Sequence, residues 1–437
     1  MLQDIKIGVM GGGGHIGLVY AACLSSLGYP TVAYDPDAAT LENIKKGCLP
    51  FYEPGLEEMV NASLQKGSLV LTDQPEELRY VDVVYICTGT PSLADGKADI
   101  SRVEQAVLTL ARVTQNKVVV IQKSTVPVGT ARHLIMLLSG KKLDGNISLV
   151  SSPEFLAEGT AVENFWKPDR VVAGAEDPEA ADIAALLYLP PGVPVVKTSW
   201  ENAELIKHAS NALLSTKISF INEIARLCEK VEANVREISR GVGLDPRIGP
   251  HFLEAGAGFS GPCLEKDLRS LLNQFRKAGE EAPLLKSVLL VNQRQRRLLV
   301  KKLEKHTGDL KGKKIGILGL AFKPGTDDVR DSQSLPVIQD LLDRGAEVMA
   351  HDPLVLKSRQ LEWFKNLFPR VALAETAYGA AQGSHGLLVL TAWPEYSDLD
   401  PELLSRVMAA PVIVDGRNTF CPAAMLVQGF NYEGVGV

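Results

Sequence analysis

No stretch of this 437-residue chain approaches the run of roughly 20 apolar residues that a membrane-spanning helix needs. One-sided charge is missing too. Lys and Arg number 46 against 52 Asp and Glu, a net of −6, so there is no electrostatic footprint for nucleic acid or an anionic membrane. Cys23, Cys48, Cys87, Cys228, Cys263 and Cys421 are scattered without a CxxC pair, which excludes a disulfide framework and a thiolate zinc site. The seven histidines show no HxxxH spacing, so no metal is expected. The chain enters its first strand almost at once, leaving no room for a signal or transit peptide. Together these absences predict a reduced, cytoplasmic enzyme. What is present is ordinary for a globular protein: 46% hydrophobic and 22% charged residues, with length enough for two or three domains.

One kind of unit opens twice. Lys6-Ile7-Gly8-Val9-Met10 runs into a glycine-rich turn and a helical stretch, then re-emerges as Val32-Ala33-Tyr34-Asp35. Lys314-Ile315-Gly316-Ile317-Leu318-Gly319 repeats the pattern and re-emerges as Val348-Met349-Ala350-His351-Asp352. A buried strand, a glycine turn, a helix and a second strand ending in Asp spell a nucleotide-binding βαβ unit, and two of them predict two bound nucleotides. In the first, Gly12, Gly14 and Gly17 form GxGxxG, and with His15 and Ile16 between them they are the candidate cofactor-binding turn. Absent side chains there let the backbone approach a pyrophosphate. Asp35 would bind ribose hydroxyls and repel a 2′-phosphate, which favours NAD over NADP. Thr88-Gly89-Thr90-Pro91, Ser124 to Thr130 and Ser152 to Gly159 each follow an N-terminal strand, at the edge where such sheets bind ligands.

From Glu201 to Glu232 there is neither Pro nor Gly, which predicts one continuous helix of about 45 Å. Glu204, Lys207, Asn211 and Ser215 share a face of it, as either a solvated stripe or a polar strip lining an active site. Next comes Gly256-Ala257-Gly258-Phe259-Ser260-Gly261-Pro262-Cys263-Leu264-Glu265-Lys266-Asp267. A cysteine in a glycine-rich loop is by itself often structural. Here Lys266 would favour the thiolate and Asp267 supplies an acid or base, which makes Cys263 the candidate nucleophile. The domains are expected at 1–195 (NAD-binding), 196–305 (helical, with the Cys loop) and 306–437. The fold class is α/β, with two Rossmann-like doubly wound domains joined by a long central helix.

Several longer stretches, in order, resemble the UDP-glucose/GDP-mannose dehydrogenase family over essentially the full length. They are Glu53-Pro54-Gly55-Leu56, Ser124-Thr125-Val126-Pro127, Pro153 to Gly159, Lys207-His208-Ala209-Ser210-Asn211, the Cys263 loop, Gly319 to Lys323, Thr326 to Arg330 and Asp415-Gly416-Arg417-Asn418. Asp245 to Gly249, Phe252-Leu253 and Ala255-Gly256 look like the branch acting on UDP-glucose. The loop departs from that branch in reading Phe-Ser-Gly-Pro-Cys, in carrying Glu265 for a proline, and in the extra Gly11 of the first turn.

The resemblance implies a four-electron oxidation of UDP-glucose to UDP-glucuronate with two NAD in succession. Cys263 would hold the aldehyde as a thiohemiacetal and then a thioester. Asp267 and Lys207 would assist alcohol deprotonation, Lys207 and Asn211 would stabilise oxyanions, Glu154 would help water cleave the thioester, and Thr125 belongs to the catalytic set. On the cofactor side the family pattern places Thr90, Ser124, Thr125, Glu158, Lys266 and Arg330. Around the UDP-sugar it places Glu154, Phe155, Leu156, Glu158, Lys207, Asn211 and Phe252. The same group takes in Gly256, Gly258, Phe259, Gly261, Lys266, Phe322, Lys323 and Arg417. Arg247 would reach the substrate of a partner subunit, in a homodimer built on the long helix. The same chemistry on GDP-mannose or a UDP-N-acetylhexosamine is the alternative, and a non-catalytic nucleotide-binding regulator is the more distant one.

Overall fold

The computed structural model describes residues 5–143, 145–187, 190 and 192–437. They fall into two compact units, one of Met1–Ser210 with Arg269–Glu280, the other of Asn211–Leu268 with Glu281–Val437. The helical middle of the chain is therefore divided between the two units.

The first unit is built on β1 (Ile7–Met10), β2 (Thr31–Tyr34), β3 (Leu69–Thr72), β4 (Val83–Ile86), β5 (Val118–Gln122), β6 (Ile147–Ser151), β7 (Val171–Gly174) and β8 (Val195–Thr198), ordered β3-β2-β1-β4-β5-β6-β7-β8. Val-Val-Tyr-Ile of β4 is buried along its whole length, as a strand covered on both faces requires. Strand order reverses between β1 and β4, the switch point at which doubly wound sheets take their ligand. β7 turns antiparallel to β6, meeting it at Ser151 and Gly174, and β8 runs parallel to β7. Gly174 lets the chain entering the long helix pack closely, since a Cβ there would lie 2.6 Å from that of Ala203.

The second unit carries β9 (Lys314–Leu318), β10 (Glu347–His351), β11 (Ala372–Leu373), β12 (Gly386–Val389), β13 (Val412–Asp415) and β14 (Asn431–Glu433), all parallel in the order β11-β10-β9-β12-β13-β14. The duplication read from the sequence is thus a duplication of topology. The turn at Gly319, at φ 100°, is kept, but the helix does not follow it directly, and here the expectation needs correcting. β9 leads into a loop from Gly319 to Gln333 before its helix, Ser334–Asp343, begins. Asp352, which matches Asp35 in position, is fully buried. Its carboxylate accepts the N–H groups of Leu320, Ala321, Leu354 and Val355 and the indole N–H of Trp393. It braces the loop instead of facing a ribose.

The long helix spans Trp200–Val231. Two of its hydroxyls back-bond within the helix, Ser210 to the Ile206 carbonyl and Ser215 to that of Asn211, while Ser219 donates to the Val288 carbonyl. It ends where Glu232 adopts a left-handed φ of 56° and the Ala233 N–H reaches back to the Cys228 carbonyl. No helix among the described residues is long and apolar enough to cross a membrane.

Candidate active site

In the first unit the glycine turn lies between β1 and the helix His15–Ser26. Gly11 sits at φ 84°, and a Cβ on Gly12 would press to 2.7 Å from that of Ala33. A Cβ on Gly17 would lie 2.0 Å from the Gly11 carbonyl oxygen, whereas Gly14 is exposed. The extra glycine therefore makes the tight bend, and Gly12, Gly14 and Gly17 keep the spacing of the fingerprint. Asp35 accepts the Gly13 N–H at 3.0 Å and the Asp37 N–H at 3.0 Å, so its charge stands at the end of β2 beside the turn. Open backbone at a helix N-terminus with an acid next to it fits NAD.

The loops after β4 and β5 are tied together. Thr90 donates its hydroxyl to the Thr125 carbonyl at 2.7 Å, and Ser124 donates to the Thr88 carbonyl at 2.7 Å. From the long helix, His208 Nε2 lies 2.9 Å from the Val126 carbonyl, and Glu204 accepts the Gly129 and Ala131 N–H groups at 2.6 and 2.8 Å. Glu204 thereby caps the helix Thr130–Gly140 from outside. Burial outweighs these bonds and raises its carboxyl to about 7. The folded chain then holds this proton more tightly than the unfolded chain, so stability falls as pH rises from about 4.5 to about 7. Glu204→Gln is expected to flatten that part of the pH dependence of Tm, measured by thermal melts from pH 4.5 to 8.

Glu154 is buried on the loop after β6. Its Oε2 accepts the Leu156 N–H at 2.5 Å, and its Oε1 lies 3.4 Å from Lys207 Nζ. Phe155 next to it carries the Arg170 guanidinium 3.7 Å from its ring centroid and the Lys207 ammonium at 5.2 Å. Glu158 is half-buried one turn further along. The residue that shapes this loop was quoted in the sequence only as part of a motif. Glu53 is buried, accepts the Gly159 and Ala161 N–H groups at 2.7 Å each, and pairs with His15 Nε2 at 3.1 Å. It ties the loop after Glu154 to the first residue of the dinucleotide helix.

In the second unit Cys263 is exposed and immediately precedes the helix Leu264–Lys277, which the Asp267 N–H opens by donating to the Cys263 carbonyl at 2.9 Å. A thiol at a helix N-terminus is biased toward the thiolate. Asp267 is buried, accepts the Asn211 amide N–H at 2.6 Å and pairs with Lys266 Nζ at 2.5 Å. The glycine loop ahead of the thiol is clamped. Asn292 accepts the Phe259 N–H at 2.8 Å and donates to its carbonyl at 3.0 Å, Gln333 donates to the same carbonyl, and Asn222 accepts the Gly256 N–H at 2.9 Å.

Gly258 and Gly261, at φ 103° and 89°, leave no room for side chains against Asn292 and Phe322. Arg417 donates to the Gly258 and Leu390 carbonyls, and desolvation pulls its guanidinium down to about 10.

Glu204, Lys207, Asn211 and Ser215 are all buried, which rules out the solvated-stripe reading of the long helix. Asn222 continues that face seven residues beyond Ser215, the one signal that would have found part of the clamp. Asn292 and Gln333 had none. Arg247 is 88% exposed and pairs with Asp245, Phe252 is exposed at φ 64°, and Arg330 forks onto Asp328. Phe322 and Lys323 are half-buried neighbours on the loop after β9. Among the described residues no cluster of His, Cys, Asp or Glu could hold a metal.

Comparison with known proteins covers the whole chain. The UDP-glucose/GDP-mannose dehydrogenase family matches by its NAD binding domain at residues 5–191, its central domain at 201–294 and its UDP binding domain at 316–422. UDP-glucose 6-dehydrogenase TuaD of Bacillus subtilis is 40% identical over 434 residues, 99% of this chain and 93% of that one. UDP-glucose 6-dehydrogenase of Rhizobium meliloti is 39% identical, over 97% and 98% of the two chains. Among solved structures, a UDP-glucose dehydrogenase from Pyrobaculum islandicum superposes with a TM-score of 0.90 at 36% identity, covering 99% of this chain and 98% of that one. The chain belongs to the UDP-glucose/GDP-mannose dehydrogenase family.

Proposed function

We propose that this chain oxidises UDP-glucose to UDP-glucuronate, in two successive NAD-dependent steps through a covalent intermediate on Cys263. The observation that carries the reading is the buried Asp267, on the helix that follows Cys263, bonded to Asn211 of the long helix and paired with Lys266. NAD, held by Gly12, Gly14, Gly17 and Asp35, accepts hydride when bound. Thr90, Ser124 and Thr125 belong to the same sheet edge and would border it, with Arg330, Glu158 and Lys266 as further contacts.

The chain's own residues do the rest. Asp267, buried between Asn211 and Lys266, takes the C6 hydroxyl proton with Lys207 favouring the alkoxide. The Cys263 thiolate adds to the aldehyde carbon, so the aldehyde never leaves. After the second oxidation Glu154 accepts a proton from water as its oxygen attacks the thioester carbon, and the C–S bond breaks with its electron pair returned to sulfur. Asn211 and Lys207 stabilise the oxyanions. The glycines of the Cys263 loop, together with Phe259, Phe322, Lys323 and Arg417, would receive the UDP-sugar.

The relatives named for UDP-glucose favour that sugar over GDP-mannose or a UDP-N-acetylhexosamine. A second copy of the chain would pack on the long helix, where Leu213, Phe220 and Leu227, seven residues apart, are 63%, 50% and 57% exposed. Arg247 would then be free to reach the partner's substrate. All six cysteines are free, in keeping with the cytoplasm.

Glu154→Gln tests the roles. Both hydride steps should survive and hydrolysis should slow by about 10²–10⁴-fold. The acid-quenched enzyme should then carry the sugar as an acyl adduct on Cys263, read by intact mass. A variant that turns over normally, or stalls with no adduct, would count against the thioester.

A further inference from the structure

Hydrolysis of an acyl group on Cys263 consumes one water per turnover, while a site that holds a reactive aldehyde gains by excluding bulk water. Such a site needs a water source of its own. The first unit contains a cavity of about 40 Å³ whose wall includes Glu154, Lys123, Arg170, Asp169, Tyr20 and Val171. One water takes roughly 10–15 Å³ of such space and two to four polar partners, so the cavity has the size and the lining for about three or four.

Lys123 stands out in that wall. It follows β5, is 2% exposed, and the proposed chemistry does not otherwise use it. Its Nζ lies 3.3 Å from the Ser152 hydroxyl, two residues before Glu154, and 5.1 Å from the Tyr20 ring centroid. A buried ammonium is kept only among compensating polar groups, and this one shares its cavity with a carboxylate. Both act on the same buried neighbour. Burial pushes the Cys87 thiol up to about 12, with Lys123 drawing it down and Glu154 raising it. Glu154 is itself oriented, one oxygen on the Leu156 amide and the other toward Lys207.

We propose that this cavity is the water-binding site of the hydrolytic step, and that Lys123 is its positioning residue, orienting the water toward Glu154, which receives its proton. The inference rests on the reading that Cys263 carries a thioester. The proton of the attacking water passes to Glu154, the water oxygen bonds to the acyl carbon, and sulfur leaves as thiolate.

The test uses the full-length protein with UDP-glucose and NAD, comparing Lys123→Met, Val171→Leu and Glu154→Gln. Val171→Leu adds one methylene to the cavity wall without touching a charge. NADH is followed from the first turnover, and enzyme quenched in the steady state is weighed intact. Lys123→Met should keep a burst of two NADH per subunit, lose about 10-fold or more in steady-state turnover, and accumulate the Cys263 acyl adduct. Val171→Leu should do the same to a smaller extent, about 2–5-fold. Turnover that drops with no burst and no adduct marks Lys123 as merely structural. If Glu154→Gln accumulates the adduct and neither cavity variant does, the cavity has no part in hydrolysis and the inference falls alone. If Glu154→Gln gives no adduct, the thioester reading falls and takes the inference with it.

Discussion

Cys263→Ser is expected to lower turnover on UDP-glucose by about 10³-fold or more, with any residual reaction stopping at one NADH per sugar. The thiol is placed for ionisation by the start of the helix Leu264–Lys277, whose unpaired amides carry about half a positive charge. A serine hydroxyl at the same place keeps the geometry but ionises several pH units higher, so it cannot hold the aldehyde as a covalent adduct between the two oxidations. The loop that presents the side chain does not depend on sulfur. Its amides are fixed by Asn292, Gln333 and Asn222, so the variant should fold and bind NAD as the wild type does. Single-turnover NADH formation, beside a melting curve, separates lost chemistry from lost structure. A variant that still releases two NADH at a comparable rate would remove Cys263 from the mechanism.

Asp267→Asn should come next in effect, with kcat down by about 10²–10⁴-fold and KM for UDP-glucose changed little. In the wild type the carboxylate is 1% exposed and receives an N–H from Asn211 and another from Lys266. An amide in its place offers one oxygen to two donors and turns its own NH₂ toward one of them. That leaves a buried donor unmet, at a stability cost of about 1–3 kcal/mol. The informative readout is the pH profile of kcat. Loss of a general base removes the acid limb, whereas a structural defect lowers the whole curve without changing its shape.

Much of this is legible in the sequence. The glycine turn and Asp35 announce themselves because a backbone approaching phosphate must omit side chains at fixed intervals, a purely local demand. The long helix was equally plain, since 32 residues without Pro or Gly have few alternatives. The polar strip Glu204, Lys207, Asn211 and Ser215 could be drawn from helical spacing, but whether it faced water depended on packing that no local pattern encodes.

Asp352 shows the same limit. Its place at a strand end matches Asp35, yet the loop after Gly319 folds its amides onto the carboxylate. The Asn292 clamp joins residues 33 apart and Glu53 joins residues over 100 apart, so both come from the tertiary fold. The reversal of β7 and β8 belongs with them, since strand direction is settled by neighbours distant in sequence.

The most direct test of the account is the yield of NADH at 340 nm with UDP-glucose limiting and NAD in excess, run beside GDP-mannose and UDP-N-acetylhexosamines. The account predicts two NADH for each UDP-glucose consumed. One NADH per sugar, whichever nucleotide sugar is supplied, would contradict it.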